Sequence, residues 1–299
     1  MRILVSGASG LVGSALLPAL AADGHVVTRL TRSRPPAGGE SSWDPEHGLL
    51  DVSALDGVEA VVHLAGQNIA SGRWTQKTKT LIRESRVKGT RLLAQSLAKL
   101  QSPPHTLICA SAIGYYGSRG DEILDETSAP GDDFLASVCR DWEEAAQTAA
   151  RSGIRVVILR FGVILSTRGG ALAKMLTPFR IGAGGVVGDG RQYMSWIDID
   201  DVVGVIQHAL RDETLAGPVN TVSPRCVTNR EFTKTLGAVL SRPTLFPMPA
   251  FVARALFGEM ADALLLSSVR VAPARLTAAG FRFKHPELAE SLKHLLGRS

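Results

Sequence analysis

Cysteine is scarce in this 299-residue chain. Cys109, Cys139 and Cys226 make an odd number with no Cys-x-x-Cys spacing. That argues against a disulfide framework and reads as reduced, packed thiols of a cytoplasmic protein. Aromatic residues are only 5% of the chain, and the lysines and arginines are scattered rather than clustered among them. Nucleic-acid binding calls for such clusters. The net charge of +5 therefore points to an anionic small molecule as partner and not to nucleic acid. No apolar run reads as a membrane span. Residues 1–22 imitate a signal peptide with Arg2, an apolar stretch and Ala19-Leu20-Ala21, but three glycines interrupt the stretch and a strand follows at once. Residues 245–266 carry Arg254, Glu259 and Asp262, which makes them amphipathic helix plus loop. There is no low-complexity segment and no repeat beyond an alternation of strands and helices.

What is present is a 45% hydrophobic composition, enough for a full core in one large domain with a smaller one appended. The organising stretch is Gly7-x-x-Gly10-x-x-Gly13. An apolar strand, Met1 to Val5, precedes it, and an Ala- and Leu-rich helix from Ser14 to Ala22 follows. The first glycine allows a tight turn, the second lets backbone approach a pyrophosphate, and the third lets helix pack on strand. The helix N-terminus then offers N–H groups and positive partial charge. Gly7, Ser9, Gly10, Leu11, Val12 and Gly13 are the candidate pyrophosphate site.

The second strand, Val26 to Thr31, lacks the acidic residue near its end that would bond the ribose 2′-hydroxyl of NAD. Arg32, and after it Arg34, stand there instead. A guanidinium fork suits a 2′-phosphate, so the expected cofactor is NADP(H). Asp44 ends a short strand, Ser42-Trp43-Asp44, near the adenine. The strand from Val58 ends in His63-Leu64-Ala65-Gly66. Leu64, Ala65 and Gly66 are candidate cofactor contacts, while His63, with no carboxylate partner in sequence, reads as a packed strand-end residue. Residues 67–80 read as a loop and 81–100 as a long helix. A strand from Thr106 to Ala110 leads into Ser111-Ala112-Ile113-Gly114-Tyr115-Tyr116-Gly117, where open α/β sheets place ligands. Residues 134–152 read as a helix and 154–159 as a strand ending at Arg160.

This order predicts an α/β fold, a Rossmann-type doubly wound parallel sheet, over residues 1–161. Residues 162–299 are expected to form a smaller, mainly helical substrate lobe, loop-rich at first. A helix runs from Val202. A strand near 219–222 is a candidate to return to the main sheet. Thr228 with Glu231 three residues on gives a capping-box spacing for a helix to Leu240, and a last helix runs from Pro286 to Leu296.

Together these residues resemble the extended short-chain dehydrogenase/reductase superfamily, of the sugar-nucleotide epimerase/dehydratase type. The resemblance rests on the glycine turn, His63-Leu64-Ala65-Gly66, the turn ending Tyr116-Gly117, Arg160 and Trp196-Ile197-Asp198-Ile199-Asp200-Asp201. Finer features resemble an atypical branch, the epimerase family proteins, with a C-terminal domain of their own: Leu30-Thr31-Arg32, Trp43-Asp44-Pro45, Arg73-Trp74, Ser85-Arg86 and the tail from Ser268 to Phe281. The resemblance implies fold, cofactor and an oxidoreductase or epimerase ancestry. It does not carry over the usual Tyr-x-x-x-Lys pair, because Phe134 and Val138 stand at those positions. Two readings follow. One is an enzyme with a relocated acid/base drawn from Ser111, Tyr115 and Tyr116, with Ser111 also facing the cofactor. The other is a catalytically inactive NADP(H)-binding regulator or assembly factor. Loops 66–80 and 168–196 with the C-terminal lobe would form the substrate pocket, with Arg73, Trp74, Arg160, Arg191 and Trp196 as candidates for a planar or anionic ligand. No metal and no membrane are expected, and the chain would act as a monomer or homodimer.

Overall fold

The apolar run behind the glycine turn forms a strand whose side chains alternate between two faces. Ile3 and Val5 enter one buried cluster and Leu4 the other, as the two-residue period of a strand requires. The computed structural model describes residues 1–32, 40–70 and 72–298; Arg34 lies outside the described residues. The chain begins β1 (Arg2–Ser6), α1 (Leu11–Ala22), β2 (Val26–Thr31), β3 (Glu40–Asp44) and β4 (Leu49–Leu50). It continues with β5 (Ala60–His63), α2 (Gln76–Ala98), β6 (Thr106–Ala112), β7 (Ile123–Leu124), α3 (Phe134–Ala150) and β8 (Arg155–Phe161). Next come β9 (Val163–Leu165), α4 (Gly170–Arg180), β10 (Tyr193–Met194), β11 (Trp196–Asp198), α5 (Ile199–Arg211) and β12 (Gly217–Thr221). The last elements are β13 (Val227–Thr228), α6 (Asn229–Leu240), α7 (Ala250–Phe257), α8 (Glu259–Leu264), β14 (Arg270–Val271), α9 (Ala274–Ala278) and α10 (Leu288–Leu295).

Among the described residues, eight strands form one sheet in the order β12-β8-β6-β5-β1-β2-β3-β4. Its pairings are parallel except for β3 with β4. Helices cover both faces. Leu16 and Leu20 of α1 and Val202 and Ile206 of α5 pack on one. Leu93 and Leu97 of α2 and Trp142 and Ala146 of α3 pack on the other. This is the doubly wound α/β architecture. Strand order reverses between β1 and β5, which opens a crevice beyond their carboxyl ends. A third cluster, including Leu176, Trp196, Phe232, Leu236 and Leu292, makes the core of the C-terminal region.

Several boundaries differ from the sequence pattern. Helix α2 starts at Gln76, not Leu81, because Thr75 caps it, its side chain accepting from the Thr78 amide at 3.2 Å. The segment after 162 is not only loop. Gly169-Gly170 and Pro178 obscure α4, whose Leu172, Leu176 and Phe179 are nonetheless buried. Helix α5 starts at Ile199 rather than Val202, with Asp198 as its cap accepting from the Asp200 amide. Strand β12 pairs in parallel with β8, setting Val219 against Leu159 and Asn220 against Arg160. The main sheet thus takes its edge from beyond residue 162. Among the described residues no helix is long and apolar enough to cross a membrane.

Candidate functional site

The glycine turn spans the crevice between β1 and β5, and each glycine is there for a different reason. Gly7 has φ +69°, and a Cβ on it would stand 2.7 Å from the Leu64 carbonyl carbon. A Cβ on Gly13 would stand 2.7 Å from Ala8 Cα and inside contact distance of the Gly7 carbonyl oxygen, so α1 could not pack on the turn. Gly10 is different. A Cβ there would meet only the Gly7 oxygen, at 3.2 Å, so the protein itself leaves room above it. Gly10 is the N-cap of α1, and no side chain caps the helix. The first-turn amides, those of Leu11, Val12 and Gly13, therefore face the crevice without an intrahelical partner. Ser9 and Gly10 are exposed, and Leu11 and Val12 half-buried. Leu64 and Ala65 form the facing wall, with exposed Gly66 beyond them. This cradle of bare backbone fits a dinucleotide pyrophosphate.

His63 locks the floor of the crevice. One ring nitrogen lies 2.6 Å from Ser6 Oγ at the end of β1, and the other 3.0 Å from Thr90 Oγ1 on α2. The same Thr90 oxygen accepts from Trp142 Nε1 at 2.8 Å. The ring is fully buried, and burial pushes its pKa down to about 4. His63 is thus a neutral clamp joining β1, β5, α2 and α3.

At the carboxyl end of β2, on the same sheet edge as the glycine turn, Arg32 is exposed, while Arg29 pairs with Glu40 at 3.1 Å. The Asp44 carboxylate is engaged locally. The His47 ring at 2.6 Å holds its pKa below the usual range, and the amides of Glu46 and His47 add to the effect.

The turn after β6 feeds a buried polar network. Arg160 on β8 makes a two-pronged ion pair with Glu143 of α3, at 2.9 and 2.8 Å. Ser111 Oγ donates to the same carboxylate at 2.7 Å. Arg160 also donates to Tyr116 Oη at 2.9 Å, and Tyr116 donates to Asn220 Oδ1 at 2.7 Å. Burial opposes the charge of Arg160, yet Glu143 and Tyr116 raise its pKa. Burial pushes Tyr116 up to about 12 despite Arg160. The two tyrosines diverge. Tyr116 is fully buried, whereas Tyr115 is half-buried and lays its ring 3.5 Å from the Arg160 guanidinium carbon. Glu143 and Asn220 carry no motif that singles them out in sequence; β8, α3 and β12 bring them together.

Phe134 opens α3 and packs edge-on against Trp74 at 5.4 Å, with Lys79 Nζ 4.9 Å from its ring. Val138 is 2% exposed. The Trp74 loop is pinned by the later half of the chain. Lys174 of α4 donates to the Ala70 carbonyl at 2.8 Å, and Arg73 donates to the carbonyls of Ala255 and Leu256 at the end of α7. Two other candidates for ligand contact have structural partners. Trp196 is fully buried and donates to the Arg225 carbonyl, and Arg160 is held in its ion pair. Arg191 is exposed. In the acidic motif, Asp198 caps α5, and Asp201 accepts from the amides of Lys284 and His285 at 2.6 and 3.0 Å.

An uncapped helix N-terminus behind three spaced glycines, at the switch point of a doubly wound sheet, defines a nucleotide-binding α/β protein of the short-chain dehydrogenase type. Residues 3–221 match the NAD dependent epimerase/dehydratase family, and the chain belongs to that family. Residues 248–295 match a domain of unknown function, DUF1731. Over 296 residues the chain is 45% identical to epimerase family protein Mb2239 of Mycobacterium bovis, covering 99% of this chain and 98% of that one. It is 39% identical to human epimerase family protein SDR39U1, over 99% of this chain and all of that one. The crystal structure of human SDR39U1 isoform 2 with NADPH superposes with a TM-score of 0.92 at 37% identity, covering both chains fully. A Corynebacterium glutamicum structure described as a nucleoside-diphosphate sugar epimerase gives 0.83 at 39% identity, over 99% of this chain and 58% of that one.

Proposed function

We propose that this protein binds NADP(H) in the crevice between β1 and β5 and acts as a short-chain dehydrogenase/reductase-like oxidoreductase or epimerase on a small, anionic substrate. The observation that carries the reading is the space above Gly10 at the uncapped start of α1. The NADPH in the human relative supports it. When bound, the cofactor supplies a hydride donor or acceptor. The chain's own residues do the rest. The first-turn amides of α1 hold the diphosphate, Arg32 takes the 2′-phosphate, and Leu64, Ala65 and Gly66 form the wall along which the cofactor lies.

For proton transfer, Ser111 and Tyr116 are committed to neighbours, Ser111 to Glu143 and Tyr116 to Asn220 and Arg160. We assign the exchangeable proton to Tyr115. Its half-buried ring lies on the Arg160 guanidinium, in the turn where open α/β sheets place ligands. Phe134 and Trp74 keep the flank of the site apolar. The alternative, an NADP(H)-binding regulator or assembly factor without turnover, is favoured by Phe134 and Val138, neither of which moves a proton.

The test is titration of NADPH and NADH into wild type, Gly10→Val and Arg32→Ala. The wild type is expected to prefer NADPH. Arg32→Ala should lose that preference by about 10–100-fold, the value of a charge-assisted bond. Gly10→Val should stay folded and lose both ligands. Equal affinity of the wild type for the two cofactors would overturn the NADP(H) assignment.

A further inference from the structure

We infer that Asp198, Asp200, His285 and His294 form a site for one divalent transition-metal ion of the zinc class, which ties α10 to the start of α5. Two carboxylates and two imidazoles meet where the C-terminal segment crosses that helix end. Each offers one ligand atom, and the four atoms lie within 4.8 Å of one another. Asp198 is buried, Asp200 and His285 are half-buried and His294 is exposed. An ion can therefore enter from the solvent side and meet a protein wall on the other. Local spacing does not announce such a site, because Asp200 and His294 are 94 positions apart.

The ligands are held by a second layer of bonds. Asp198 accepts from the Asp200 amide at 2.9 Å with one oxygen and from Ser291 Oγ at 2.6 Å with the other. Ser291 and His294 are three residues apart on α10 and share a face, so the bond that orients Asp198 also positions His294. Asp201 accepts from the amides of Lys284 and His285 and so fixes the backbone that carries His285. Ser223 Oγ donates to the Pro286 carbonyl at 2.8 Å and fixes the next residue. Outer bonds of this kind hold metal ligands in place.

The inner groups are less well served. The His285 ring has no hydrogen-bond partner among the described residues. It stacks on His294 with centroids 4.2 Å apart and 17° between the planes. His294 Nε2 lies 2.9 Å from Asp200 Oδ2. Burial pushes the Asp198 carboxyl up, and the neighbouring Asp200 charge adds to the push. Two carboxylates this close favour a cation between them. Imidazole nitrogens beside carboxylate oxygens select a zinc-class ion over magnesium or calcium, which take oxygen ligands. A zinc tetrahedron with bonds of about 2.0–2.2 Å has edges of about 3.3–3.6 Å. The four atoms reach that size by shifts of about 1 Å. Turning the exposed His294 ring out of its stack aims both imidazoles at one point.

The experiment uses tag-free, full-length protein stripped with EDTA and exchanged into metal-free buffer at neutral pH. Zinc chloride, titrated by calorimetry, should saturate at one ion per chain. An excess of about a hundredfold over Kd should raise Tm by about 3–6 °C. His285→Ala and His294→Ala should each weaken zinc by about 10–100-fold, and Ser291→Ala by about 10-fold. His47→Ala, which removes a histidine–aspartate contact elsewhere on the surface, should change zinc affinity by less than about twofold. If a histidine variant does not fold, cobalt(II) added to wild type carries the test: the intense visible absorption of tetrahedral cobalt should appear and be abolished by zinc. Failure to saturate at one zinc per chain, equal affinity in wild type and both histidine variants, or only the pale spectrum of hydrated cobalt overturns the site. So does a loss in His47→Ala as large as in His294→Ala.

Discussion

Tyr115 and Tyr116 are adjacent in sequence and opposite in physical situation. Tyr116 Oη accepts from Arg160 and donates to Asn220 inside the core. Tyr116→Phe leaves both partners short of a bond, which costs about 1–3 kcal/mol; thermal melting should show the loss. Tyr115→Phe should leave the melting temperature near wild type and abolish consumption of NADPH with a carbonyl substrate. Full turnover in Tyr115→Phe would remove it as the acid. His63 makes a different residue-scale point. Its folded pKa of about 4 lies below the 6.5 of an ordinary imidazole, so between those values the unfolded chain binds more protons. Stability from this residue is complete above pH 6.5 and is lost as pH falls toward 4, on the order of 3 kcal/mol in all. The decline in melting temperature from pH 6.5 to 4 should be shallower in His63→Gln. Parallel declines in the two proteins would contradict the clamp.

At the scale of elements, helix ends decide what sequence periodicity leaves vague. The Thr228–Glu231 capping box is legible in four letters and forms as spaced: Thr228 Oγ1 accepts from the Glu231 amide at 3.2 Å, and Glu231 Oε2 accepts from the Thr228 amide at 2.7 Å. Thr228→Ala should cost about 1 kcal/mol, read from denaturant midpoints; no change would show that packing of Phe232 and Leu236 alone holds α6. The start of α2 was not legible. Its first turn, Gln76-Lys77-Thr78-Lys79, is polar and gives no apolar period, and the helix begins there because Thr75 caps it. Helix α4 was hidden for the converse reason. Glycines at its start and Pro178 within it look like loop, and the burial of Leu172, Leu176 and Phe179 against the third core outweighs their low propensity.

For the molecule as a whole, the two halves of the chain are interlocked. Strand β12 completes the sheet begun by β1 and supplies Asn220 to Tyr116. Lys174, the carbonyls at the end of α7, and Glu259, which pairs with Lys79 at 2.6 Å, anchor the segment that carries Trp74. The sequence by itself determined the glycine turn, the alternating strands and helices, the parallel sheet and the absence of a tyrosine–lysine pair on α3. Each of these depends on local periodicity, backbone freedom at one glycine, or the identity of a single residue. Only the tertiary structure decided that Ser111 and Tyr116 serve a buried Glu143–Arg160 ion pair and that Tyr115 lies on its cation. Those facts depend on which charges meet after α3, β8 and β12 have packed, and contacts between residues dozens of positions apart leave no periodic trace in the chain.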